Sequence, residues 1–431
     1  MEQMDRIKII GGNELKGIIP ISGAKNASLP VMIASLLTSE KLTLENIPNL
    51  ADVKLLMRIL RSHGVEISVD GNDQDQDYSS TMHFRCRNIV DLTGSYDLIS
   101  KMRASFWIIG PLLAREGYAR ISLPGGCAIG IRPVDLFVDS LKALGVTIEL
   151  DGGYVNARVS NKGLIGTDYT FPKVSVGATQ VMMMVASLSH GDTSINNAAR
   201  EPEVVDLAHC LNSMGAKISG MGSSTITIEG VTSLSGARHR ILPDRIEAGT
   251  YAMAVAMTGG DVILKMTDSF LLETVFKVMR QTGVDISIVD EGICVRWDGE
   301  KLRPVDITTA PFPGFPTDLQ AQFMAMMCCA GGVSHITETI FENRFMHVQE
   351  LARLGAKIFL SGQTARVEGV DVLRGAPVMA TDLRASVSLV IAALASQGET
   401  EISRVYHLDR GFESLEKKLR RCGALIERVS G

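Results

Sequence analysis

The sequence predicts an α/β protein of two domains, each built from three copies of one repeated unit. A chain of 431 residues is longer than one compact core usually accommodates, which favours two or three domains. A short pattern of Gly, then Val or Ala, one variable residue and Ile recurs six times, at intervals of 81, 70, 68, 72 and 68 residues. Such self-similarity indicates a repeated supersecondary unit, and six units divide most simply into three per domain.

Each copy of this pattern marks the end of an amphipathic helix and the beginning of a strand. The six copies begin at Gly64, Gly145, Gly215, Gly283, Gly355 and Gly423. A glycine directly after a helix is typical of a left-handed C′ residue, and the alternating apolar and polar residues that follow are typical of a strand. We therefore expect a positive φ at all six glycines.

A second type of helix lies between these marks and is apolar on most of its faces. Its examples are the segments 104–113, 180–188, 250–257, 319–329 and 385–395. Helices of this composition belong in a core. Each repeat thus supplies one buried helix, one half-exposed helix and several short strands, which makes twelve helices in all. The first domain is predicted to span residues 22–242, and the second to combine residues 1–21 with 243–431.

Composition excludes several functional classes. A net charge of −5, with only two Trp and seven Tyr, gives no reason to expect binding to nucleic acid or to an anionic membrane. The seven cysteines are scattered without a C-x-x-C pair, so neither a zinc site nor a disulfide scaffold is indicated. The amino terminus lacks a signal-type apolar run, and no stretch of eighteen apolar residues could span a membrane. We expect a cytoplasmic protein.

A glycine-rich loop at 123–133 contains a single cysteine, Cys127, and an arginine, Arg132. Glycines allow close approach of the backbone to a ligand, and a nearby guanidinium favours a thiolate and also binds phosphate or carboxylate. The loop is therefore a candidate for a reactive thiol beside an anion site. The alternative is an ordinary connector in which the cysteine is incidental.

Basic residues recur at equivalent places in the repeats, at the beginnings of helices. They are Lys25, Arg103, Arg132, Arg344, Arg384 and Arg410. Helix amino termini attract anions, so two pseudo-symmetric domains facing each other across these ends would form a cleft for several negative charges. Taken singly, each arginine can equally be a solvated surface residue, and Lys25 a turn residue.

One acidic residue, Asp318, follows the rigid segment 311–316, in which prolines and glycine exclude regular structure. This rigid segment places Asp318 at the beginning of the next helix. Asp is a favoured N-cap, so capping is the alternative to a functional role for this carboxylate.

Several motifs together resemble one enzyme family. They are Gly-Ala-Lys-Asn-Ala at 23–27, Pro-Gly-Gly-Cys at 124–127, Arg-Pro-Val-Asp at 132–135, Lys-Val-Ser-Val-Gly-Ala-Thr at 173–179, Phe-Pro-Thr-Asp at 315–318, Phe-Glu-Asn-Arg-Phe at 341–345, Asp-Leu-Arg-Ala at 382–385 and Asp-Arg-Gly at 409–411. This combination is similar to the UDP-N-acetylglucosamine 1-carboxyvinyltransferases, enolpyruvyl transferases of the EPSP synthase superfamily. The likeness extends from about residue 9 to residue 429.

The resemblance implies a fold and a reaction. The fold is a pair of inside-out α/β barrels, each of three βαβαββ-type repeats. The substrates are phosphoenolpyruvate and UDP-N-acetylglucosamine, and the reaction needs no cofactor and no metal. The products are the enolpyruvyl sugar nucleotide and phosphate, in the first committed step of peptidoglycan synthesis.

The resemblance also implies which residues bind the substrates. Phosphoenolpyruvate is assigned to Lys25, Arg132 and Arg410, with Arg344 near the same anionic site, and Arg384 belongs to the cationic set described above. The sugar nucleotide is assigned to Asn26, Arg103, Asp318 and Ile340, and its uridine diphosphate portion to Pro133, Val134, Asp135, Leu136, Lys173, Val174, Ser175 and Val176. One departure is Phe137, where the family commonly has a histidine, so a polar contact to the nucleotide is in doubt at that position.

A mechanism follows as a hypothesis. Asp318 acts as the base on the sugar 3-hydroxyl, and Cys127 as the acid at C3 of phosphoenolpyruvate, with covalent addition of Cys127 to C2 implied by the resemblance. Lys25, Arg132 and Arg410 favour the departing phosphate. The alternatives are the sister enzyme that uses shikimate 3-phosphate, which lacks the Pro-Gly-Gly-Cys loop, and a non-catalytic sugar-nucleotide-binding protein of the same fold.

Overall fold

The computed structural model describes residues 5–70, 79–125 and 134–430, and this part of the chain forms two compact units. The amino-terminal unit begins at Gly23 and ends at Leu242. The carboxyl-terminal unit contains residues from 243 onward together with the initial segment that ends at Ser22. Each unit has its own hydrophobic core.

The described residues contain twenty-four strands. In chain order they are β1 (Arg6–Ile10), β2 (Leu15–Pro20), β3 (Lys41–Ile47), β4 (Glu66–Val69), β5 (Ser80–Arg85), β6 (Thr93–Gly94), β7 (Tyr118–Ser122), β8 (Val146–Asp151), β9 (Tyr154–Val159), β10 (Asp168–Thr170), β11 (Asp192–Asn196), β12 (Lys217–Ser219), β13 (Thr225–Glu229), β14 (Arg238–Arg240), β15 (Gly260–Lys265), β16 (Asp285–Val289), β17 (Gly292–Trp297), β18 (Ile307–Thr308), β19 (Val333–Thr337), β20 (Lys357–Ser361), β21 (Thr364–Glu368), β22 (Pro377–Met379), β23 (Glu399–Ser403) and β24 (Leu425–Val429).

Thirteen α-helices lie within the same described ranges. They are α1 (Lys25–Ile33), α2 (Ala51–Ser62), α3 (Tyr96–Ile99), α4 (Ile109–Glu116), α5 (Asp135–Ala143), α6 (Val176–Ala186), α7 (Pro202–Ser213), α8 (Arg245–Thr258), α9 (Glu273–Gln281), α10 (Gln320–Met327), α11 (Val348–Arg353), α12 (Leu383–Ala395) and α13 (Leu415–Arg421). Twelve of them are the predicted helices, and α3 is an additional single turn. Short 3-10 helices are found at Ala34–Leu37, Arg103–Ile108, Ser269–Leu272, Thr317–Leu319 and Val405–Arg410.

The strands form six four-stranded sheets of one common design. The orders are β14-β3-β5-β4, β6-β7-β9-β8 and β10-β11-β13-β12 in the amino-terminal unit, and β16-β17-β15-β2, β18-β19-β21-β20 and β22-β23-β1-β24 in the carboxyl-terminal unit. Each sheet has one parallel pair, such as β18 with β19, and two antiparallel pairs, such as β19 with β21 and β20 with β21. The sixfold repetition seen in the sequence is thus a repetition of whole sheets.

Segments distant in sequence complete the sheets at the ends of each unit. Strand β14 pairs parallel with β3, so the last strand of the amino-terminal unit joins its first sheet. In the carboxyl-terminal unit, β2 pairs parallel with β15, while β1 pairs antiparallel with both β23 and β24. This pairing explains why the initial residues belong to the carboxyl-terminal unit.

The predicted helix-ending glycines are confirmed. All six have φ between 92° and 109°. At the end of α2, the Gly64 N–H donates to the Arg61 carbonyl at 3.0 Å and the Val65 N–H donates to the Leu60 carbonyl at 3.0 Å. These two bonds are those of a Schellman motif, which satisfies carbonyls left open at the helix end.

The cores are made of the uniformly apolar helices. In the amino-terminal unit α4 packs on α6, and in the carboxyl-terminal unit α8, α10 and α12 pack on one another. Their residues are almost entirely buried, including the Met182–Met184 run within α6. The predicted burial of these helices is confirmed. Among the described helices, none combines the length and the apolar character needed to cross a membrane.

Candidate functional site

The most distinctive polar cluster of the carboxyl-terminal unit is one carboxylate held between two guanidinium groups. Asp318 Oδ1 accepts a hydrogen bond from Arg344 at 2.8 Å, and Oδ2 accepts one from Arg384 at 2.9 Å. Both arginine side chains are nearly buried, whereas the Asp318 side chain is 25% exposed. The cluster therefore reaches solvent through its carboxylate.

The segments that carry these three residues follow strands β18, β19 and β22. Asp318 lies in the 3-10 helix that leads into α10, Arg344 lies in turns before α11, and Arg384 lies in the first turn of α12. The connector 311–316 is closed by a hydrogen bond from the Ala310 N–H to the Phe315 carbonyl, at 2.9 Å. It has no regular structure beyond an isolated bridge, as predicted.

The capping alternative for Asp318 is wrong, because Pro316 occupies the position before the 3-10 helix and the Asp318 side chain binds arginines instead. Burial raises the pKa of Asp318, but the Arg384 and Arg344 guanidinium groups outweigh burial and hold this pKa well below its usual range. Asp318 is therefore ionised at neutral pH.

Arg410 is anchored close to this cluster. It ends the 3-10 helix Val405–Arg410, which packs against α12. A Cβ at Gly411 would come within 2.6 Å of the Leu383 side chain, so this turn lies directly against the beginning of α12. The neighbouring Asp409 accepts a hydrogen bond from Arg428 on β24 at 3.0 Å, which holds the helix in place.

In the amino-terminal unit, Lys25 is the first residue of α1, and Asn26 follows it. The Lys25 ammonium forms an ion pair with Asp52 of α2 at 2.6 Å, and both side chains are largely buried. A Cβ at Gly23 would overlap the carbonyl oxygen of Asn46, so glycine is required where the chain enters the helix. Arg103 begins the 3-10 helix that packs against α1.

The predicted uridine diphosphate residues lie at the beginnings of α5 and α6. Val134 precedes α5, Asp135 and Leu136 form its first turn, and Ser175 caps α6 by accepting from the Ala178 N–H at 3.3 Å. The remaining members of the second group are Lys173, Val174 and Val176. The two helices pack on each other, so the structure brings both groups together.

Phe137 lies in the core of this region, and its ring is packed edge-to-face on Phe106 at 5.5 Å between ring centroids. The ring is also so close to Gly177 that a Cβ there would approach it to 3.0 Å. The role of Phe137 is therefore to fill space between α5 and α6.

Cys127, Arg132 and Pro133 lie outside the described residues. Asp318, Arg344 and Arg384 are in direct contact, with Arg410 placed beside the beginning of α12. Whether the predicted residues of the two units share one cleft stays a prediction. In the described ranges, no group of three His, Cys, Asp or Glu side chains could hold a metal ion.

Three residues that organise the site were not singled out from the sequence. They are Asp52, which pairs with Lys25, Asp409, which is bound by Arg428, and Glu338, which follows β19 and is almost completely buried. Asp409 is the first residue of the Asp-Arg-Gly motif. The sequence offered no signal for Glu338, since its burial depends on the tertiary fold.

Comparison with known proteins identifies the family. A family model described as EPSP synthase (3-phosphoshikimate 1-carboxyvinyltransferase) matches residues 9–419. The UDP-N-acetylglucosamine 1-carboxyvinyltransferase of Rhizobium leguminosarum bv. trifolii is 72% identical over 429 residues, covering 99% of this chain and 100% of that protein. The enzyme of the same name from Agrobacterium fabrum is also 72% identical over 429 residues, with 99% and 100% coverage.

The chain belongs to the EPSP synthase family. Solved structures share its fold. The enolpyruvyl transferase NikO from Streptomyces tendae superposes with a TM-score of 0.88 at 25% identity, covering 100% of both chains. An EPSP synthase from Acinetobacter baumannii gives a TM-score of 0.74 at 18% identity, covering 99% of this chain and 100% of that chain. The predicted fold class, a two-domain inside-out α/β barrel of six repeats, is thereby confirmed.

Proposed function

We propose that this EPSP synthase family member transfers the enolpyruvyl group of phosphoenolpyruvate to the 3-hydroxyl of UDP-N-acetylglucosamine and releases phosphate. The observation that carries the proposal is 72% identity, over essentially the whole chain, to enzymes named for that reaction. By contrast, the solved EPSP synthase is only 18% identical and supports the fold alone. The acceptor is therefore the sugar nucleotide and not shikimate 3-phosphate.

The reaction is an addition followed by an elimination. The sugar 3-hydroxyl oxygen bonds to C2 of phosphoenolpyruvate, C3 gains a proton, and the hydroxyl proton passes to a base. The resulting tetrahedral intermediate carries both the phosphate and the sugar ether on C2. Loss of a proton from C3 and of phosphate from C2 restores the double bond, so atoms and charges balance without a cofactor.

Asp318 is the proposed base for the 3-hydroxyl. Between two guanidinium groups its low pKa makes it a weak base, because a general base works best with a pKa near the operating pH. The phosphate and carboxylate of phosphoenolpyruvate would compete with Asp318 for Arg344 and Arg384. Partial release from these arginines raises the pKa of Asp318, so binding of the anionic substrate activates the base.

The other roles follow the motif assignments. Lys25, Arg132 and Arg410 bind phosphoenolpyruvate and stabilise the charge on the departing phosphate, and Cys127 supplies the proton at C3. Asn26, Arg103 and Ile340 contact the sugar, and the groups at the beginnings of α5 and α6 contact the uridine diphosphate. The Asp52 carboxylate holds the Lys25 ammonium in place at 2.6 Å.

We further propose that the reaction takes place in the cytoplasm, as the first committed step of peptidoglycan synthesis, and the same likeness supports this proposal. The proposal is tested by incubating the purified protein with phosphoenolpyruvate and either UDP-N-acetylglucosamine or shikimate 3-phosphate, while phosphate release is measured. We expect release only with the sugar nucleotide. Release only with shikimate 3-phosphate would reassign the acceptor, and binding of the nucleotide without release would indicate a non-catalytic protein.

The role of Asp318 is tested separately by Asp318→Asn. The amide cannot take up the hydroxyl proton, so kcat should fall by roughly 10²–10⁴-fold, the range for loss of a general base, while the nucleotide still binds. Asp306→Asn is the matched control, because Asp306 is exposed and contacts His335 through its backbone N–H at 2.7 Å and its imidazole at 3.4 Å. Loss of nucleotide binding in Asp318→Asn would make Asp318 a contact residue.

A further inference from the structure

A buried carboxylate next to the Asp318 cluster has no role in the mechanism above. Glu338 directly follows β19 and is 1% exposed. Its Oε1 accepts hydrogen bonds from the Thr309 hydroxyl at 3.0 Å and from the N–H groups of Ile340 and Phe341 at 2.8 and 3.1 Å. Its Oε2 accepts one from the Thr317 hydroxyl at 2.8 Å. One side chain thus accepts four hydrogen bonds.

These donors belong to two loops that follow adjacent parallel strands. Strands β18 and β19 are parallel, so their carboxyl ends lie side by side. The loop after β18 contains Thr309 and leads through Thr317 to Asp318, and the loop after β19 contains Ile340 and leads to Arg344. Glu338 therefore joins the segment that carries Asp318 to the segment that carries Arg344.

The pattern of donors argues against a simple charge pair. Within the ranges that the structure describes, no ion pair involving Glu338 is found, and its partners are hydroxyl and backbone N–H groups. Burial of a carboxylate without a cation costs free energy unless hydrogen bonds satisfy all its lone pairs. Displacement of a single donor would therefore destabilise the whole hydrogen-bonded group. Such a group fixes the positions of its partners accurately.

We propose that Glu338 is a positioning residue for the enolpyruvyl transfer, which sets the geometry of Asp318 relative to Arg344. This inference rests on the proposed function. Glu338 acts through Asp318 and touches no substrate, so its loss affects kcat more than the KM for phosphoenolpyruvate.

The main test compares Glu338→Ala with Glu338→Gln by phosphate release. Misplacement of a reacting group by about 1 Å can cost about 10²-fold, so we expect kcat to fall by roughly 100-fold in Glu338→Ala. Glutamine keeps an acceptor oxygen and a side chain of the same length, so it should restore kcat to within about tenfold of the native value. Glu368→Gln removes the same charge from β21 of the same repeat and serves as the control without effect.

A merely structural role is separated from a positioning role by repeating Glu338→Ala in the Asp318→Asn background. If Glu338 acts through Asp318, the second substitution should lower the residual kcat by less than about threefold, because coupled effects are not additive. A full loss of about 100-fold in that background would overturn the proposal, since it would show an effect independent of Asp318.

Amide hydrogen exchange makes the test independent of activity. Glu338→Ala is compared with the native chain at Ile340, Phe341 and the segment 317–319. Faster exchange in both segments supports the positioning role, and it does so even if the native protein releases no phosphate, in which case only the proposed function fails. Unchanged exchange in both segments overturns the inference.

Discussion

The buried charge of Lys418 offers a test of the structure that does not depend on function. Lys418 lies in α13 and is 1% exposed. Its ammonium donates to Glu247 of α8 at 2.6 Å and to the Ser22 hydroxyl at 2.7 Å. The Ser22 hydroxyl in turn donates to Glu413, which is also buried. The network ties α8 and α13 to the segment that ends at Ser22.

Substitution of Lys418 by Met leaves the Glu247 carboxylate buried without its cation. Breaking a buried pair in this way typically costs about 3–5 kcal/mol. A unit of roughly 200 residues loses about 2–4 °C of Tm per kcal/mol, so Lys418→Met should lower the Tm of the carboxyl-terminal unit by roughly 6–20 °C. Combination with Glu247→Gln removes both charges and should recover part of this loss.

The pH dependence of the variant has a definite sign. Burial raises the pKa of Glu247, and Lys418 opposes that rise, so loss of Lys418 raises this pKa further. A carboxylate whose pKa is higher in the folded than in the unfolded state takes up a proton on folding, and stability then falls as pH rises through the interval between the two pKa values. The destabilisation should therefore be larger at pH 8 than at pH 5.

The assay is thermal unfolding of the full chain, followed by calorimetry at both pH values. Lys417→Met is the matched control, because Lys417 is the exposed neighbour in the same helix and a surface substitution usually changes stability by less than about 0.5 kcal/mol. Equal Tm values for Lys418→Met and Lys417→Met would refute the reasoning that this charge is buried and paired.

Three further predictions follow from the fold and the site. Burial lowers the pKa of His347 to about 4. The contribution of neutral His347 to the free energy of unfolding should therefore be fully present above about pH 6.5 and fall by about 3 kcal/mol toward pH 4. His347→Asn should remove this loss, as measured by urea titrations. Gly355 has φ +94°, and a Cβ at this position would have no atom within 4 Å. Gly355→Ala should therefore lower the free energy of unfolding by about 1–2 kcal/mol through backbone conformation alone. An unchanged unfolding midpoint would contradict this. Cys127→Ser should abolish or severely impair phosphate release at neutral pH, and an epoxide phosphonate should alkylate Cys127 in peptide mapping, whereas near-normal turnover would remove the thiol from the mechanism.

Features with local causes could be predicted from the sequence. The six helix-ending glycines could be recognised because a left-handed C′ position favours glycine. The buried helices are visible because a segment such as 385–395 has no polar face to turn toward water. Both signals act within a few residues, so neither requires knowledge of the tertiary fold.

Features that join distant parts of the chain could not be predicted in the same way. Nothing near β1 indicates that its partners are β23 and β24, and the bond between Ser22 and Glu413 joins residues that are 391 positions apart. The bond between Asp318 and Arg384 has the same character, because Arg384 comes from the following repeat and lies 66 positions away in the sequence. The sequence marks Phe137 only as a position where a polar contact to the nucleotide is in doubt, and its packing on Phe106 shows that it fills the core.

The central claim, addition followed by elimination, is tested most directly by running the reaction with UDP-N-acetylglucosamine and phosphoenolpyruvate in deuterium oxide. Addition converts C3 into a methyl group that carries a solvent deuteron, and elimination then removes either isotope. The vinyl group of the product should therefore contain deuterium, as seen by mass spectrometry and proton NMR. A product whose two vinyl positions carry only protium would contradict the account, because C3 would then never have been protonated.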